Sequence, residues 1–336
     1  MKHARLSEVI EEYLAHLAAR GLEPRTVRTH QSPLRKALLA WGDVYVSSIR
    51  PAYIDKFFTV YDYAPKTRNL YLGNLRMFFA YCRKHQYLPK DFDPTDTWRP
   101  VKVPKGDPPR ISIEQFVPVL EAATDPRDRA VIALGLFTFC RASEIQTMRV
   151  KDLDFDANTL DIYRHKTKEA DVLPLASELK VEMVRWLNFY ESQQGTLQGD
   201  WFLVPAKGPL PMHHDSLRGR LAPTGEPAQL RPDRQMSHPY RAAQRPLRAI
   251  GVKERGTGGH VLRRSGARAL FDRLRGEGYD GALMRVSSML GHANTRNTEL
   301  YLGLSVERTQ RNELLAGKPM FPDLTLPSEV ATLRAM

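Results

Sequence analysis

Apolar residues in the first ninety positions recur every three to four residues, which is the spacing of amphipathic helices. The first pattern predicts a helix from Leu6 to Ala18, with Ser7 as its N-cap and Gly21 at its end. Three more helices are predicted over about residues 25–41, from about residue 51, and over about residues 67–84. No strand pattern competes, so residues 1–88 are predicted to form a small helical domain.

Proline then changes the pattern, with six prolines between residues 89 and 110. Because proline cannot continue a helix, this stretch is predicted to be a stiff, extended linker. Ser112 and Gln115 have the spacing of a capping box, so a second domain is predicted to begin at residue 111. The apolar run Ala130–Cys140 is hydrophobic on every side and predicts the central buried helix of that domain.

Alternating apolar residues follow the buried helix and predict a small antiparallel sheet. Its strands are expected at Val150–Phe155, Thr159–Arg164 and Val172–Leu175. Helices are predicted to resume at residues 176–190, 239–250, 261–275, 283–290 and 298–304. Residues 205–235, rich in proline, glycine and arginine, are predicted to be a long loop. The predicted fold is mainly α with a small antiparallel β-sheet, divided into a helical domain (1–88), a linker (89–110), a mixed α+β domain (111–304) and a C-terminal tail (305–336).

Composition narrows the class of protein. The chain of 336 residues has two cysteines, Cys82 and Cys140, which are too few for a disulfide framework or a four-cysteine zinc site and favour a reducing compartment. The N-terminus lacks the apolar core of a signal peptide, and the longest apolar run, eleven residues, is too short to cross a bilayer. A soluble, cytoplasmic protein is therefore expected.

Charge points to a polyanionic partner. The 50 lysines and arginines exceed the 38 acidic residues, which gives a formal net charge of +12. Residues 1–90 hold 15 basic and 7 acidic side chains, and residues 201–280 hold the same numbers. Two basic segments, one in each predicted domain, suit a clamp around a nucleic acid duplex. Charge by itself leaves open an anionic membrane surface and a role in solubility alone.

Two short motifs carry little weight. Residues 276–281 match the GxGxxG pattern of dinucleotide-binding proteins, but they follow a helical pattern instead of a strand and are interpreted as a chance match. His213, His214 and Asp215 are consecutive, so they cannot easily converge on one metal ion. The sequence also lacks a phosphate-binding GxxxxGK[ST] loop. Neither a metal nor a cofactor is expected.

Polar residues spread over the second domain suggest phosphoryl transfer to a phenol. Arg141 follows the buried helix directly and opens the next one, where Ser143 and Gln146 have the spacing of a second capping box. Arginine forks bind phosphate oxygens in a bidentate manner, and histidine N–H groups add neutral donors. Each residue alone is more often structural, so the hypothesis depends on the whole set: Arg141, Lys166, His260, Arg263, His292 and Tyr301.

These residues lie in five motifs whose order resembles the tyrosine recombinase, or phage integrase, family: R-A-S-E-I, a lysine hairpin before V-L-P-L, H-V-L-R-R, L-G-H, and a tyrosine nine residues later. The resemblance covers nearly the whole chain. It implies that the two arginines, two histidines and lysine surround a scissile DNA phosphate, that Tyr301 is the nucleophile, and that Glu144 orients the site. One departure is Arg264, which stands where the family often has a second histidine.

The resemblance implies a site-specific DNA recombinase that cleaves and rejoins DNA through a covalent 3′-phosphotyrosyl intermediate and a Holliday junction. Its partners would be double-stranded DNA at core recombination sites and further copies of the chain, forming a tetramer on paired sites. The helical domain would be a core-binding, SAM-like domain, and the tail would dock on a neighbouring protomer. No arm-binding domain is expected, and the place of action would be the cytoplasm, at the nucleoid. Whether accessory or directionality proteins take part stays open.

Three alternatives remain at this point. A type IB topoisomerase uses a similar catalytic set, a DNA-binding regulator would have some motifs broken, and a telomere-resolving relative would form hairpin ends. The general acid is also open between two lysines of the predicted turn, Lys166 and Lys168, with His260 as a third candidate. Lys166 is the preferred acid because its place eight residues before Pro174 matches the family's hairpin.

Overall fold

The computed structural model describes residues 2–103, 109–215, 220–224, 228–252 and 259–304. The chain divides into two compact units, Met1–Gly106 and Asp107–Met336. The tail predicted to dock on a neighbouring protomer, residues 305–336, lies outside the described part of the chain. Among the described residues, no helix combines the length and the apolar character that a membrane span needs.

The first unit contains four helices: α1 (Leu6–Ala19), α2 (Pro24–Trp41), α3 (Pro51–Val60) and α4 (Pro65–Lys84). Helices α2, α3 and α4 each have a proline in the first turn, where the missing N–H group costs no hydrogen bond. Their apolar faces form one core, in which Leu6, Leu34, Ile54 and Phe78 are fully buried. The helices predicted from periodicity are confirmed.

The N-cap predicted for α1 is wrong. The cap position is Arg5, whose backbone N–H donates to the Glu8 carboxylate at 2.9 Å. Ser7 lies inside the first turn, and its N–H and hydroxyl both donate to Asp43, each at 2.9 Å. A carboxylate from a distant segment therefore takes over part of the capping that sequence spacing assigned to Ser7.

The prediction of a stiff, extended linker is wrong for its first part. The ring of Trp98 packs at a tilt against that of Phe58 with centroids 4.7 Å apart, and its indole N–H donates to Asp55 at 2.9 Å. Thr95 is fully buried, and Asp93 forms an ion pair with Arg83 at 2.7 Å. Proline prevented a helix here, but aromatic and polar side chains found partners on the helical unit and folded the segment into turns. Residues 104–108 lie outside the described residues.

The second unit is mixed α+β. Its helices are α5 (Phe116–Glu121), α6 (Pro126–Phe137), α7 (Ala142–Thr147), α8 (Ser177–Gln194), α9 (Gln244–Ala249), α10 (Gly259–Gly276), α11 (Ala282–Leu290) and α12 (Thr295–Leu302). A three-stranded antiparallel sheet has the order β1 (Leu153–Asp154), β2 (Thr159–Arg164), β3 (Glu169–Pro174). This is the mainly α fold with a small antiparallel sheet that the sequence predicts, and the Ser112–Gln115 capping box is present.

The long loop predicted over residues 205–235 is wrong. The described part of this segment contains two antiparallel strand pairs, β4 (Pro205–Lys207) with β7 (Leu230–Gln235) and β5 (Met212–Asp215) with β6 (Arg220–Pro223). Prolines lie within or at the ends of three of these strands. Short two-stranded ladders tolerate proline at edge positions, which hid the strand pattern in the sequence.

Helix α6 is the centre of the second unit, as predicted, and it packs against α8 and α10. Gly266 of α10 is essential to this contact, because a Cβ there would lie 1.8 Å from the Leu136 carbonyl oxygen. The close approach brings the C-terminal end of α6 next to the first turns of α10. The two helices thereby place the segments that carry Arg141 and Arg263 beside each other.

Candidate active site

Arg141 and Glu144 form the junction between α6 and α7. Arg141 is the N-cap of α7; its backbone N–H donates to Glu144 Oε2 at 2.6 Å and its guanidinium Nη1 donates to Oε1 at 2.8 Å. The capping box predicted at Ser143 and Gln146 is therefore wrong by two residues. Gln146 instead donates from its side chain to the carbonyl oxygens of Met236 and Ser237.

Glu144 is buried beneath three guanidinium groups. Its carboxylate oxygens lie 2.8 Å from Arg141, 3.7 Å from Arg263 and 3.9 Å from Arg164. Among the residues that the structure describes, Asp171 is the one further carboxylate paired with these arginines, and it lies 2.6 Å from Arg164. Three guanidiniums against two carboxylates leave an excess of positive charge in a low-dielectric setting, which an anionic phosphate can neutralise.

Arg263 is held by backbone carbonyls at both ends of its guanidinium. Nη1 donates to the Phe139 carbonyl oxygen, and Nη2 donates to that of Leu290 at 2.7 Å. Phe139 adopts a left-handed backbone conformation (φ 55°), a strained state for a bulky residue that aims its carbonyl into the site. The buried Arg263 therefore ties α10 to the α6–α7 junction and to the end of α11.

Tyr301 lies on the last turn of α12, close to the arginines. Its hydroxyl donates to the His260 carbonyl oxygen at 3.4 Å, and its ring centroid is 5.9 Å from Arg263 Cζ and 4.9 Å from Arg264 Cζ. Burial raises the pKa of Tyr301, and the positive charges of Arg263, Arg264 and Arg141 oppose that rise. The phenol is therefore protonated at neutral pH and surrounded by the charges that stabilise a phenolate.

His292 is fixed by a chain of hydroxyl groups. Its Nδ1 lies 2.9 Å from Thr298 Oγ1, Thr298 donates to Ser287 Oγ at 3.0 Å, and Ser287 donates back to the His292 carbonyl. This order makes Nδ1 the donor and leaves Nε2 as an acceptor in the neutral ring. Burial, assisted by the charges of Arg263, Arg141, Lys166 and Arg164, lowers the pKa of His292 to about 4.

His260 occupies the first turn of α10 and is more exposed than His292. Desolvation and the nearby guanidiniums of Arg263, Arg264 and Arg141 lower its pKa. Both histidines are therefore neutral at pH 7. Neutral imidazole adds no further positive charge to the cluster and retains one nitrogen able to accept a proton.

The lowered pKa of His292 predicts a pH dependence of stability. The ordinary pKa of 6.5 applies in the unfolded chain, so between pH 6.5 and about 4 the unfolded state binds the extra proton and is favoured. The part of the free energy of unfolding that depends on a neutral His292 is fully present above pH 6.5 and is lost as the pH falls toward 4. Urea titrations should show that His292→Asn loses less free energy of unfolding between pH 7 and pH 5 than the unchanged protein. Equal losses in the two proteins would contradict the lowered pKa of His292. The pH dependence that remains in the variant includes contributions from His30 and His260, whose pKa values are also lowered.

Lys166 lies in the exposed turn between β2 and β3. Its charge contributes to the lowered pKa of His292, which places it on the same side of the unit as the other candidates. Lys168, in the same turn, is exposed and has a left-handed backbone (φ 61°). The structure thus brings together Arg141, Glu144, His260, Arg263, His292 and Tyr301, with the Lys166 turn beside them.

Sequence reasoning missed Arg164 and Tyr240, and it noted Arg264 only as a departure from the family's pattern. Tyr240 donates its hydroxyl to the Cys140 carbonyl at 2.5 Å, next to Arg141. Arg264 donates to the Pro109 carbonyl at 2.8 Å besides contacting the Tyr301 ring. A signal did exist for Arg164: it shares the inward face of β2 with Leu160 and Ile162, because alternate residues of a strand point the same way. An arginine in that register predicts a buried cation.

Residues 111–308 match the sequence model of the phage integrase family. The chain belongs to the phage integrase family. Among curated relatives, the tyrosine recombinase XerA of Thermococcus kodakarensis is 24% identical over 309 residues, which cover 91% of this chain and 94% of that protein. As a member of this family, the chain is a tyrosine-type site-specific DNA recombinase, and the topoisomerase and regulator alternatives are not favoured.

Solved structures of phage integrases share the fold. A lambda integrase dimer bound to a COC′ core site superposes with a TM-score of 0.66 at 17% identity, covering 90% of this chain and 78% of that one. A lambda integrase tetramer bound to a Holliday junction gives a TM-score of 0.62 at 17% identity, covering 87% of this chain and 78% of that one. The likeness extends over both units of the chain and supports the predicted fold class.

Proposed function

We propose that this recombinase cleaves one strand of duplex DNA at a specific site by attack of Tyr301 on a phosphate, and then rejoins the strand to a second duplex. The observation that carries the proposal is the position of Tyr301, whose hydroxyl donates to the His260 backbone and whose ring centroid lies 5.9 Å from Arg263 Cζ and 4.9 Å from Arg264 Cζ. The test is a nicked suicide substrate, which should trap a covalent protein–DNA adduct whose DNA-linked peptide contains Tyr301.

The charges of the site suit the reaction without a nucleotide cofactor. As the phenolic oxygen forms a bond to phosphorus, its proton passes to a base, for which the neutral imidazoles of His260 and His292 are the candidates. Arg141 and Arg263 stabilise the charge on the non-bridging oxygens of the transition state. The bond from phosphorus to the 5′-oxygen breaks, and a second 5′-hydroxyl reverses the step. The 3′-phosphotyrosyl bond conserves the energy of the cleaved strand.

Lys166 is proposed as the acid that protonates the leaving 5′-oxygen. Lys166→Ala should slow cleavage of ordinary DNA by about 10²–10⁴-fold, because an unprotonated alkoxide leaves poorly. A sulfur in place of the bridging 5′-oxygen leaves as a thiolate, so the same variant should be largely rescued on that substrate. Single-turnover cleavage rates of both substrates measure the effect.

Lys168→Ala is the matched control, because it removes the neighbouring lysine of the same turn. It should cleave both substrates at near-normal rates. If Lys168→Ala shows the defect and its rescue while Lys166→Ala does not, the two roles are exchanged. Rescue of neither variant would move the acid to another group, with His260 next.

The helical unit and the second unit are proposed as a core-binding domain and a catalytic domain that clamp double-stranded DNA, in the cytoplasm at the nucleoid. Each carries a basic segment, so binding should weaken steeply with salt. By likeness to the integrase tetramer on a Holliday junction, the recombining assembly is proposed to contain four copies on paired sites. No residue of this chain is proposed to bind an accessory or directionality protein.

The proposed tetramer should depend on the C-terminal tail. A chain ending at residue 304 retains every proposed catalytic residue but loses the segment expected to dock on a neighbouring protomer. It should bind a single core site as well as the full chain does, and fail to assemble four copies on paired sites. Sizing of the complexes by analytical ultracentrifugation measures both. A tetramer of the truncated chain would refute the role of the tail.

A further inference from the structure

Arg164 joins the Lys166 hairpin to the segment that carries His292. It is the last residue of β2, two positions before Lys166, and it is 3% exposed. Its Nε donates to Asp171 Oδ2 on β3 at 2.6 Å, its Nη2 forms an ion pair with the same oxygen at 2.6 Å, and Nη2 donates to the Met289 carbonyl at 2.9 Å. Met289 lies in the last turn of α11, directly before the L-G-H motif.

The end of α11 is shared between two arginines. The carbonyl of Met289 accepts from Arg164, and the next carbonyl, that of Leu290, accepts from Arg263. These carbonyls lack helical partners because the helix ends there, and cationic donors are favoured at this end of a helix. The two arginines therefore hold the turn before His292 from the hairpin side and from the α10 side.

Gly291 allows Arg164 to lie directly beneath the turn. A Cβ at this position would lie 2.7–2.8 Å from the Nη1, Cδ and Cζ atoms of Arg164, and the backbone φ of 58° also favours glycine. The guanidinium and the turn are thus in van der Waals contact with no room between them. A shift of the hairpin would move the turn that carries His292.

The donors of Arg164 are turned toward protein groups and away from a substrate. Asp171 and Met289 occupy Nε and Nη2, while Nη1 is buried, lies 3.9 Å from Glu144 and has no hydrogen-bond partner among the described residues. Asp171 also neutralises the charge of Arg164. The side chain is therefore built to position its neighbours, in contrast to Arg141, which is partly exposed.

We propose that Arg164 is a positioning residue for strand cleavage, which locks the Lys166 hairpin against the α11 end and so fixes the lysine relative to the leaving oxygen. The inference rests on the proposed function. Residues 166–168 of the turn are exposed, and the backbone N–H groups of Thr167 and Lys168 donate to the Arg164 carbonyl at 3.1 and 2.7 Å, so Arg164 anchors the turn that carries Lys166. Proton transfer requires hydrogen-bond reach, and a misplacement of about 1 Å can cost about 10²-fold in rate.

The test compares Arg164→Gln with Lys166→Ala on ordinary and sulfur-bridged substrates. Arg164→Gln should slow cleavage of ordinary DNA by roughly 10–10²-fold, in line with a displaced acid, and recover most of the rate on the sulfur-bridged substrate. The double variant should be no slower than Lys166→Ala alone, because both changes disable the same proton transfer. A merely structural role would give a loss that sulfur does not rescue and that adds to Lys166→Ala; this result would overturn the proposal.

Asp171→Asn covers the case in which Arg164→Gln does not fold, because Asp171 is partly exposed and its loss only loosens Arg164. It should show a smaller defect with the same sulfur rescue. Asp161→Asn, an exposed carboxylate on β2, is the matched control and should cleave normally. An unrescued or absent defect in Asp171→Asn would overturn the proposal.

The outcomes separate this inference from the proposed function. If the unchanged protein forms no adduct on either substrate, the proposed function fails. If it forms the adduct but Lys166→Ala is not rescued by sulfur, an action of Arg164 through Lys166 is refuted while the nucleophile assignment stands.

Discussion

Tyr301→Phe should bind core-site DNA as the unchanged protein does and form no covalent adduct. Phenylalanine keeps the ring, which stands edge-on to His292 at a centroid distance of 5.5 Å and lies near Arg264, so the local packing is preserved. Only the oxygen that attacks phosphorus is removed. Gel-shift titrations at two salt concentrations measure binding, and denaturing gels of a suicide-substrate reaction measure the adduct.

Tyr279→Phe is the matched control for this experiment. Tyr279 belongs to the same unit but is 47% exposed and carries no proposed catalytic role. It should form the adduct at the normal rate. An adduct of Tyr301→Phe at normal yield would remove Tyr301 from the reaction, and loss of DNA binding by that variant would show that the substitution disturbs more than the nucleophile.

Arg263→Ala is expected to lower the cleavage rate by about 10²-fold or more, because a preorganised charge on the transition-state oxygens is lost. It should also destabilise the protein, by about 3–5 kcal/mol, the typical result when one partner of a buried charged cluster is removed. Arg263 is 1% exposed. Its loss leaves the Phe139 and Leu290 carbonyls without this donor and removes one of the positive charges that neutralise Glu144.

Arg141→Ala separates the loss of cleavage rate from the loss of stability. The Arg141 side chain is 21% exposed, and its one described partner is Glu144, so its removal should cost a similar factor in rate with a smaller loss of stability. Arg273→Ala, an exposed arginine on the same helix as Arg263, should leave both quantities unchanged. Cleavage rates measured at a temperature where urea titrations show each variant to be folded test the assignment. Near-normal cleavage by either Arg141→Ala or Arg263→Ala would remove that arginine from the site.

Periodicity was a reliable guide to the helices. The pattern that predicted Leu6–Ala18 corresponds to α1, and the run Ala130–Cys140 predicted the buried helix α6, whose residues 130–134 are at most 1% exposed. A helix's own sequence contains its periodicity, so a single segment carries the information. The same argument places Arg164 on the inward face of β2, although the sequence could not say what that guanidinium contacts.

Capping and loops were less predictable because their partners lie elsewhere in the chain. Ser7 was expected to cap α1, and in the structure it bonds to Asp43, 36 residues away. The sequence places Trp98 in a stiff, extended linker, whereas in the structure its ring packs against that of Phe58. In each case a polar or aromatic side chain had several chemically equivalent partners, and only the packing of the unit selected one.

The amino-acid sequence by itself determined the helical segments, the basic character, and the order of motifs that identifies a tyrosine recombinase. These properties are local or additive, so they survive without knowledge of the fold. The tertiary structure alone decided that Glu144 lies beneath three arginines, that Gly266 lets α10 approach α6, and that Arg164 lies under Gly291. Except for Arg141 and Glu144, which are three positions apart, these contacts join residues tens to more than a hundred positions apart, and their geometry depends on distances between elements that no local pattern encodes.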